Sequence, residues 1–329
     1  QGSGQMDFMQ ERITTIHDFR IEERSLCLAL EDIAMERPMT LLIPMLFEEI
    51  LGDHIENILK HINELNFLSK VVIALAADDE QQYIQVKQFF SKLEIPCIIV
   101  WCDGPSVQQV IEELKEKDLD ITMFSGKGKD TWIALGVATL DSYAVAMHDA
   151  DIVFYSKLMP AKLLYSVVEP DLDFCYNKGY YARIDMEHLV MYGRVNRLLL
   201  NPLLKSLMKK TNYNSNFLKY MSAFKYPLSG EFGITTDLAL NIRMPGDWGL
   251  EVGLLAEVFK NTALKRICQV DLGFYEHKHR PIRSGAEEGI QKMTKDIVKT
   301  ILRNLVELDG LDIDEAFIQS LNVLFKPIE

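Results

Sequence analysis

Apolar residues come in short unbroken runs separated by amphipathic stretches. Residues 39–47 (MTLLIPMLF), 70–77 (KVVIALAA), 96–102 and 143–147 (YAVAM) each read as a strand buried on both faces. Between them the period becomes helical. It does so over about 53–65, where Ile55, Ile58 and Leu59 share a face, in a stretch holding Ile84, Val86 and Phe89-Phe90, and over roughly 106–117. Buried strands alternating with helices predict an α/β fold with a mainly parallel sheet flanked by helices. On such a sheet ligands bind where strands end and loops begin.

Beyond Pro170 the pattern is less regular. Residues 174–183 gather Phe174, Tyr176, Tyr180 and Tyr181 around Lys178 and Arg183. Helical periodicity returns over about 196–210, is expected to open again in 226–240, and covers 249–262. Residues 266–274 read as a late strand. This half, 171–284, is expected to extend the sheet of 39–170 without forming an independent domain. A helical tail follows over 285–329, with helices at 287–308 and 313–324 that pack on the body or on a second subunit. At the other end, 1–5 resembles an expression scar and 6–38 is a polar N-terminal segment.

Composition narrows the function. The 329 residues are 48% hydrophobic and 25% charged, ordinary for a globular chain, with a formal net charge of −13. That balance disfavours nucleic acid or an acidic membrane as a partner, so an anionic ligand needs a local cluster of basic groups. The five cysteines are scattered and form no CxxC pair, so neither a zinc site nor a disulfide framework is indicated, and a reducing cytoplasm fits best. No apolar run approaches the length of a membrane span.

The chemistry-bearing residues sit at strand ends. Asp149-Ala150-Asp151 follows the run 143–147. In extended backbone the two carboxylates point to one side, where a divalent cation could bridge them to substrate phosphates. The same tripeptide can be a solvated turn. Lys127 lies in Ser125-Gly126-Lys127-Gly128-Lys129 just before a helical pattern. It suits an anion at a helix start, or simply a flexible surface loop, and the spacing is not that of a Walker A loop. Tyr275-Glu276-His277-Lys278-His279-Arg280-Pro281 offers an imidazole for a metal shell and cations for phosphate, or a plain basic loop. Gly193-Arg194-Val195-Asn196-Arg197 precedes a helix and suits a phosphate or carboxylate. Glu231 and Glu251, both near glycines, could bind sugar hydroxyls or start helices.

Taken in order, PMLFEE, GKGKD, DAD, GRVNR, PLSGE, WGLEVGLL and QVDLGFYEHKHRP resemble the glucosyl-3-phosphoglycerate synthase family, with its mannosyl relatives, over about residues 40–281. The resemblance implies a GT-A fold and a retaining hexosyltransferase. It would move glucose from a nucleotide-diphosphate-sugar donor to 3-phosphoglycerate with a divalent metal, Mg2+, Mn2+ or Co2+, and act as a homodimer. By position it implies Asp151 as principal metal ligand, with Asp149 assisting and His277 closing the shell. Pro44, Glu48, Glu49, Lys127, Asp149, Ala150, Asp151 and Glu231 would hold the nucleotide-sugar. Gly193, Arg194, Val195, Asn196 and His279 would line the acceptor site, and Leu228 and Glu251 would approach the transferred sugar. Here Phe47-Glu48 stands where the family carries Asn-Glu or Asp-Glu. Asn196 replaces its threonine and His279 its asparagine. Mannosyl transfer, another small anionic acceptor, or a catalytically silent nucleotide-sugar binder are the alternatives. A nucleotidyltransferase would need a glycine-rich basic loop after the first strand, which PMLFEEILGD does not supply.

Overall fold

The computed structural model describes residues 12–185, 190–191, 195–243, 249–275 and 286–324. Its strands are β1 (Thr14–Ile16), β2 (Met39–Leu46), β3 (Leu68–Ala76), β4 (Cys97–Trp101), β5 (Ala144–Met147), β6 (Tyr176–Asp185), β7 (Val190–Met191), β8 (Phe232–Thr235) and β9 (Ile267–Tyr275). The helices in the first half are α1 (Glu23–Ala34), α2 (Asp53–Ile62), α3 (Glu80–Phe90), α4 (Pro105–Glu116), α5 (Lys127–Thr139) and α6 (Leu158–Val168). Then come α7 (Asn201–Lys210), α8 (Asn216–Ala223), α9 (Thr236–Asn241), α10 (Leu250–Asn261), α11 (Ala286–Asp309) and α12 (Glu315–Leu324).

One sheet runs β1-β9-β6-β8-β5-β2-β3-β4, with β7 on β6. All neighbours along it are parallel except β8, which runs antiparallel to both β5 and β6. β6, β8 and β9 thus continue the sheet built by β2 to β5. The period of two divides each inner strand between two cores. Leu42, Val72, Val145 and Met147 face a core shared with α5, α7, α8, α10 and α11. Leu41, Ile43, Val71, Ile73 and Ala146 face a second one, shared with α1, α2, α3 and α6. This layering is the GT-A fold. Among the described residues no helix is long and apolar enough to cross a membrane.

Local chemistry sets the helix ends. The Asp79 carboxylate caps α3 by accepting from the Gln82 amide at 2.8 Å, and the Ser215 hydroxyl caps α8 by accepting from Leu218 at 3.1 Å. Ile297, Ile301 and Leu305, spaced four apart, pin α11 to the first core, and Phe317 and Leu321 of α12 join it. The tail thus docks on the body of its own chain.

One expected element is wrong. Residues 226–240 do not open as a helix: 232–235 form β8 and only α9 follows. The reason lies in Gly233. A Cβ there would stand 2.1 Å from the Leu163 carbonyl oxygen of α6, so the bare backbone fits the slot between β5 and β6 while α6 presses on it. The sequence reading also left β1, α1, β6 and α6 unassigned.

The sheet opens at the C-terminal end of β2. The Leu42 carbonyl accepts from His148 at 3.3 Å as β5 ends. Two residues on, on the same side of β2, Pro44 has no N–H to give, so no amide donor is left over at that position where β5 departs.

Candidate active site

Into that opening project the end of β2, the start of α5 and the turn after β5, which line a cavity of about 450 Å3. Pro44, Glu49, Lys127, Asp149, Ala150 and Asp151 all line it, six of the residues the sequence points to. Glu48 is exposed and lies outside it, because Phe47–Leu51 turns as a 3-10 helix that sends Glu49 inward, where its carboxylate accepts from His54 at 2.8 Å. A second cavity of about 490 Å3, beside Thr236 and Arg266, opens at the opposite end of the sheet, away from all of these.

Lys127 is the first residue of α5 and does not merely precede it. Gly126 before it has φ +86°, a backbone state glycine adopts without strain. The Lys127 ammonium lies 2.7 Å from Asp149 Oδ1 and 3.6 Å from Glu251 Oε1, in the first turn of α10. Burial opposes its charge, but Asp149 and Glu251 outweigh that and raise its pKa. Glu231 is fully buried behind the turn, with its Oε1 3.5 Å from the Asp149 amide. At Gly230 a Cβ would meet Asp149 Oδ2 at 2.7 Å, so a larger residue in the 227–231 loop would displace that carboxylate. Leu228 of the same loop packs against the first apolar core and is not among the residues lining the cavity.

Val195 and Asn196 stand half-buried at the start of a π-helical turn, Asn196–Leu200, that leads into α7. Gly193, Arg194, His277 and His279 lie outside the described residues.

Three further groups were not singled out from the sequence. Asp130 lines the cavity wall, and burial, reinforced by Asp103, pushes its pKa up to about 6. Lys178, near the start of β6 and 1% exposed, donates to the Ser229 carbonyl, and burial lowers its pKa to about 8 against the pull of Glu251 and Glu231. The available signal was a lysine inside an aromatic strand-like run, which 174–183 displays. His148 holds the turn from below: its Nδ1 meets the Asp149 carbonyl at 2.8 Å and its Nε2 the Tyr155 hydroxyl at 2.9 Å.

Burial lowers the His148 pKa to about 4, below its ordinary 6.5. A group depressed on folding contributes stability above its unfolded pKa that is lost as pH falls through the folded one. The wild type should therefore lose up to about 3 kcal/mol more than a His148→Gln variant between pH 7 and pH 4. Urea melts of both proteins at the two pH values measure this, and equal losses would refute it.

The donor set suits a hard divalent cation. Asp149 and Asp151 offer carboxylate oxygens, and an ammonium already sits on Asp149, so the cleft is built to attract positive charge. Among the described residues no three His, Cys, Asp or Glu side chains converge on one point. Mg2+ and Mn2+ need only one or two carboxylates when phosphate oxygens complete the shell.

No family model matches the chain. Glucosyl-3-phosphoglycerate synthase of Methanococcoides burtonii is 50% identical over 321 residues, 98% of this chain and 79% of that protein. The chain belongs to the glucosyl-3-phosphoglycerate synthase family. A second member, from Persephonella marina, is 41% identical over 96% of this chain and 78% of its own length. Among solved structures, glucosyl-3-phosphoglycerate synthase from Mycobacterium tuberculosis in complex with Mn2+, UDP and glucosyl-3-phosphoglycerate has a TM-score of 0.66. It matches 92% of this chain and 89% of its own at 20% identity, a likeness of fold. The same mycobacterial protein with Mg2+ and UDP gives 0.65.

Proposed function

We infer that this member of the family transfers glucose from a nucleoside-diphosphate-glucose to 3-phosphoglycerate, with retention at the anomeric carbon and dependence on a divalent cation. One observation carries the reading: Asp149 and Asp151 share the cleft at the end of β5 with Lys127, on a chain half identical to a synthase of that name. Among relatives of the same fold, mycobacterial structures hold UDP-glucose with phosphoglyceric acid and Mn2+.

Pro44 and Glu49 flank the nucleoside from the end of β2, and of the two neighbouring acids Glu49 is the one assigned. Lys127 meets the diphosphate from the N-terminus of α5, where helix and ammonium both favour negative charge. Glu231 and Glu251 face the transferred glucose, and Val195 and Asn196 begin the acceptor side. Asp149 and Asp151, with His277, would hold the cation. When bound, it neutralises charge growing on the leaving diphosphate. The bond from C1 to the diphosphate breaks and one from C1 to the acceptor hydroxyl forms on the same face. The acceptor's proton passes to the departing phosphate, so no side-chain nucleophile is needed.

The test is a matrix of UDP- and GDP-linked glucose and mannose against 3-phosphoglycerate, glycerate and glycerol 3-phosphate, read by product mass. Glucose should appear on 3-phosphoglycerate, disappear with EDTA and return with Mg2+ or Mn2+. Transfer from mannose donors alone would replace this reading by the mannosyl one.

A further inference from the structure

A lysine buried in a sheet is costly unless its charge is answered. Lys178 is 1% exposed, and β6 places it level with Phe232, directly beneath the 227–231 loop. Its ammonium donates to the Ser229 carbonyl, the Ser229 hydroxyl donates back to the Gly179 carbonyl, and the Gly179 amide donates to the Glu231 carbonyl at 2.9 Å. These bonds strap the loop to β6 on either side of Gly230, the residue that abuts Asp149 Oδ2. The charges that answer Lys178 are Glu251, Glu231 and Asp149, with Lys127 opposing it. Lys127 and Lys178 thus set two fixed cations against the carboxylates that would hold a metal.

We propose that Lys178 is a positioning residue that straps the 227–231 loop against Asp149 and, as a fixed cation beneath the cleft, limits how tightly the divalent metal is held. This rests on the metal-dependent reading of the cleft. Removing the charge should deepen the negative potential at Asp149 while loosening the loop. Metal affinity and turnover then move in opposite directions, which a residue serving packing alone would not produce.

The experiment is titration of Mn2+ into enzyme saturated with UDP, whose diphosphate oxygens complete the shell, following Mn2+ by electron paramagnetic resonance against a protein-free UDP blank, alongside steady-state rates. Lys178→Met is expected to bind Mn2+ three- to tenfold more tightly than wild type while kcat falls at least tenfold. Lys178→Arg, which keeps the charge, should leave Mn2+ affinity within twofold of wild type. If Lys178→Met does not fold, Lys178→Gln, neutral but able to donate to Ser229, is expected to show the tighter Mn2+ binding with a smaller loss of kcat. Affinity and kcat falling together, or neither changing, would overturn the proposal. Failure of the wild type itself to bind Mn2+ would instead sink the metal-dependent reading of the cleft.

Discussion

An Asp151→Ala enzyme is expected to turn over about 10³-fold more slowly than wild type, with little change in melting temperature. The residue lies in the turn after β5, outside any helix or strand, and lines the cleft. Its loss therefore removes little buried apolar surface. What it removes is a fixed negative group where a cation must be held against the outgoing diphosphate. Groups that stabilise developing charge contribute several kcal/mol to the transition state, and about 4 kcal/mol corresponds to roughly 10³ in rate. Initial rates at saturating Mn2+, with thermal melts of the same preparations, measure both quantities. Near wild-type turnover would mean that the cation, if used, is held elsewhere.

The largest effect on stability is expected at Gly233. An alanine Cβ would come 2.1 Å from the Leu163 carbonyl oxygen and 2.9 Å from its carbonyl carbon. Both are backbone atoms inside α6, so no side-chain rotation relieves the clash. Asn177 also donates to the Leu163 carbonyl at 3.2 Å, so moving the helix would break a buried hydrogen bond as well. Overpacking of this kind costs about 3 kcal/mol, which should lower the melting temperature by roughly 5–10 °C. Gly136 is the control. Nothing lies within 4 Å of a Cβ there, and it sits inside α5. Gly136→Ala should leave stability unchanged or raise it by up to about 1 kcal/mol. Similar melting temperatures for the two variants would show that the contact of β8 with α6 yields.

Much of the first half was readable because its strands are buried on both sides and its helices on one. Residues 39–47 and 70–77 correspond to β2 and β3 to within two residues, since continuous apolar runs leave little choice of element. The second half was harder for a physical reason. β6 buries Asn177 and Lys178 near its start, so polar residues interrupt the run that would have announced a strand. β8 is four residues long and owes its place to a neighbour that the local sequence does not reveal. The tripeptide Asp149-Ala150-Asp151 and Lys127 were each weak signals apart, 22 positions from one to the other. The 2.7 Å approach of Lys127 to Asp149 is a product of the sheet order, which sets the start of α5 beside the end of β5. The run 174–183 showed Lys178 but not its role, because its partner is a main-chain carbonyl, which no pattern of side chains encodes.

The short strand β1 lies parallel to β9, Thr14 beside Cys268 and Ile16 beside Val270, and the Gln269 amide reaches the Thr15 hydroxyl across 254 positions. Its partner is therefore synthesised some 254 positions later. At translation rates of about 5–20 residues per second, the leading strand waits on the order of 10–50 s with no mate. Until residue 270 has left the ribosome this outer edge stays unfinished. A nascent chain halted earlier presents an unclaimed strand to whatever chaperone or neighbouring polypeptide is at hand.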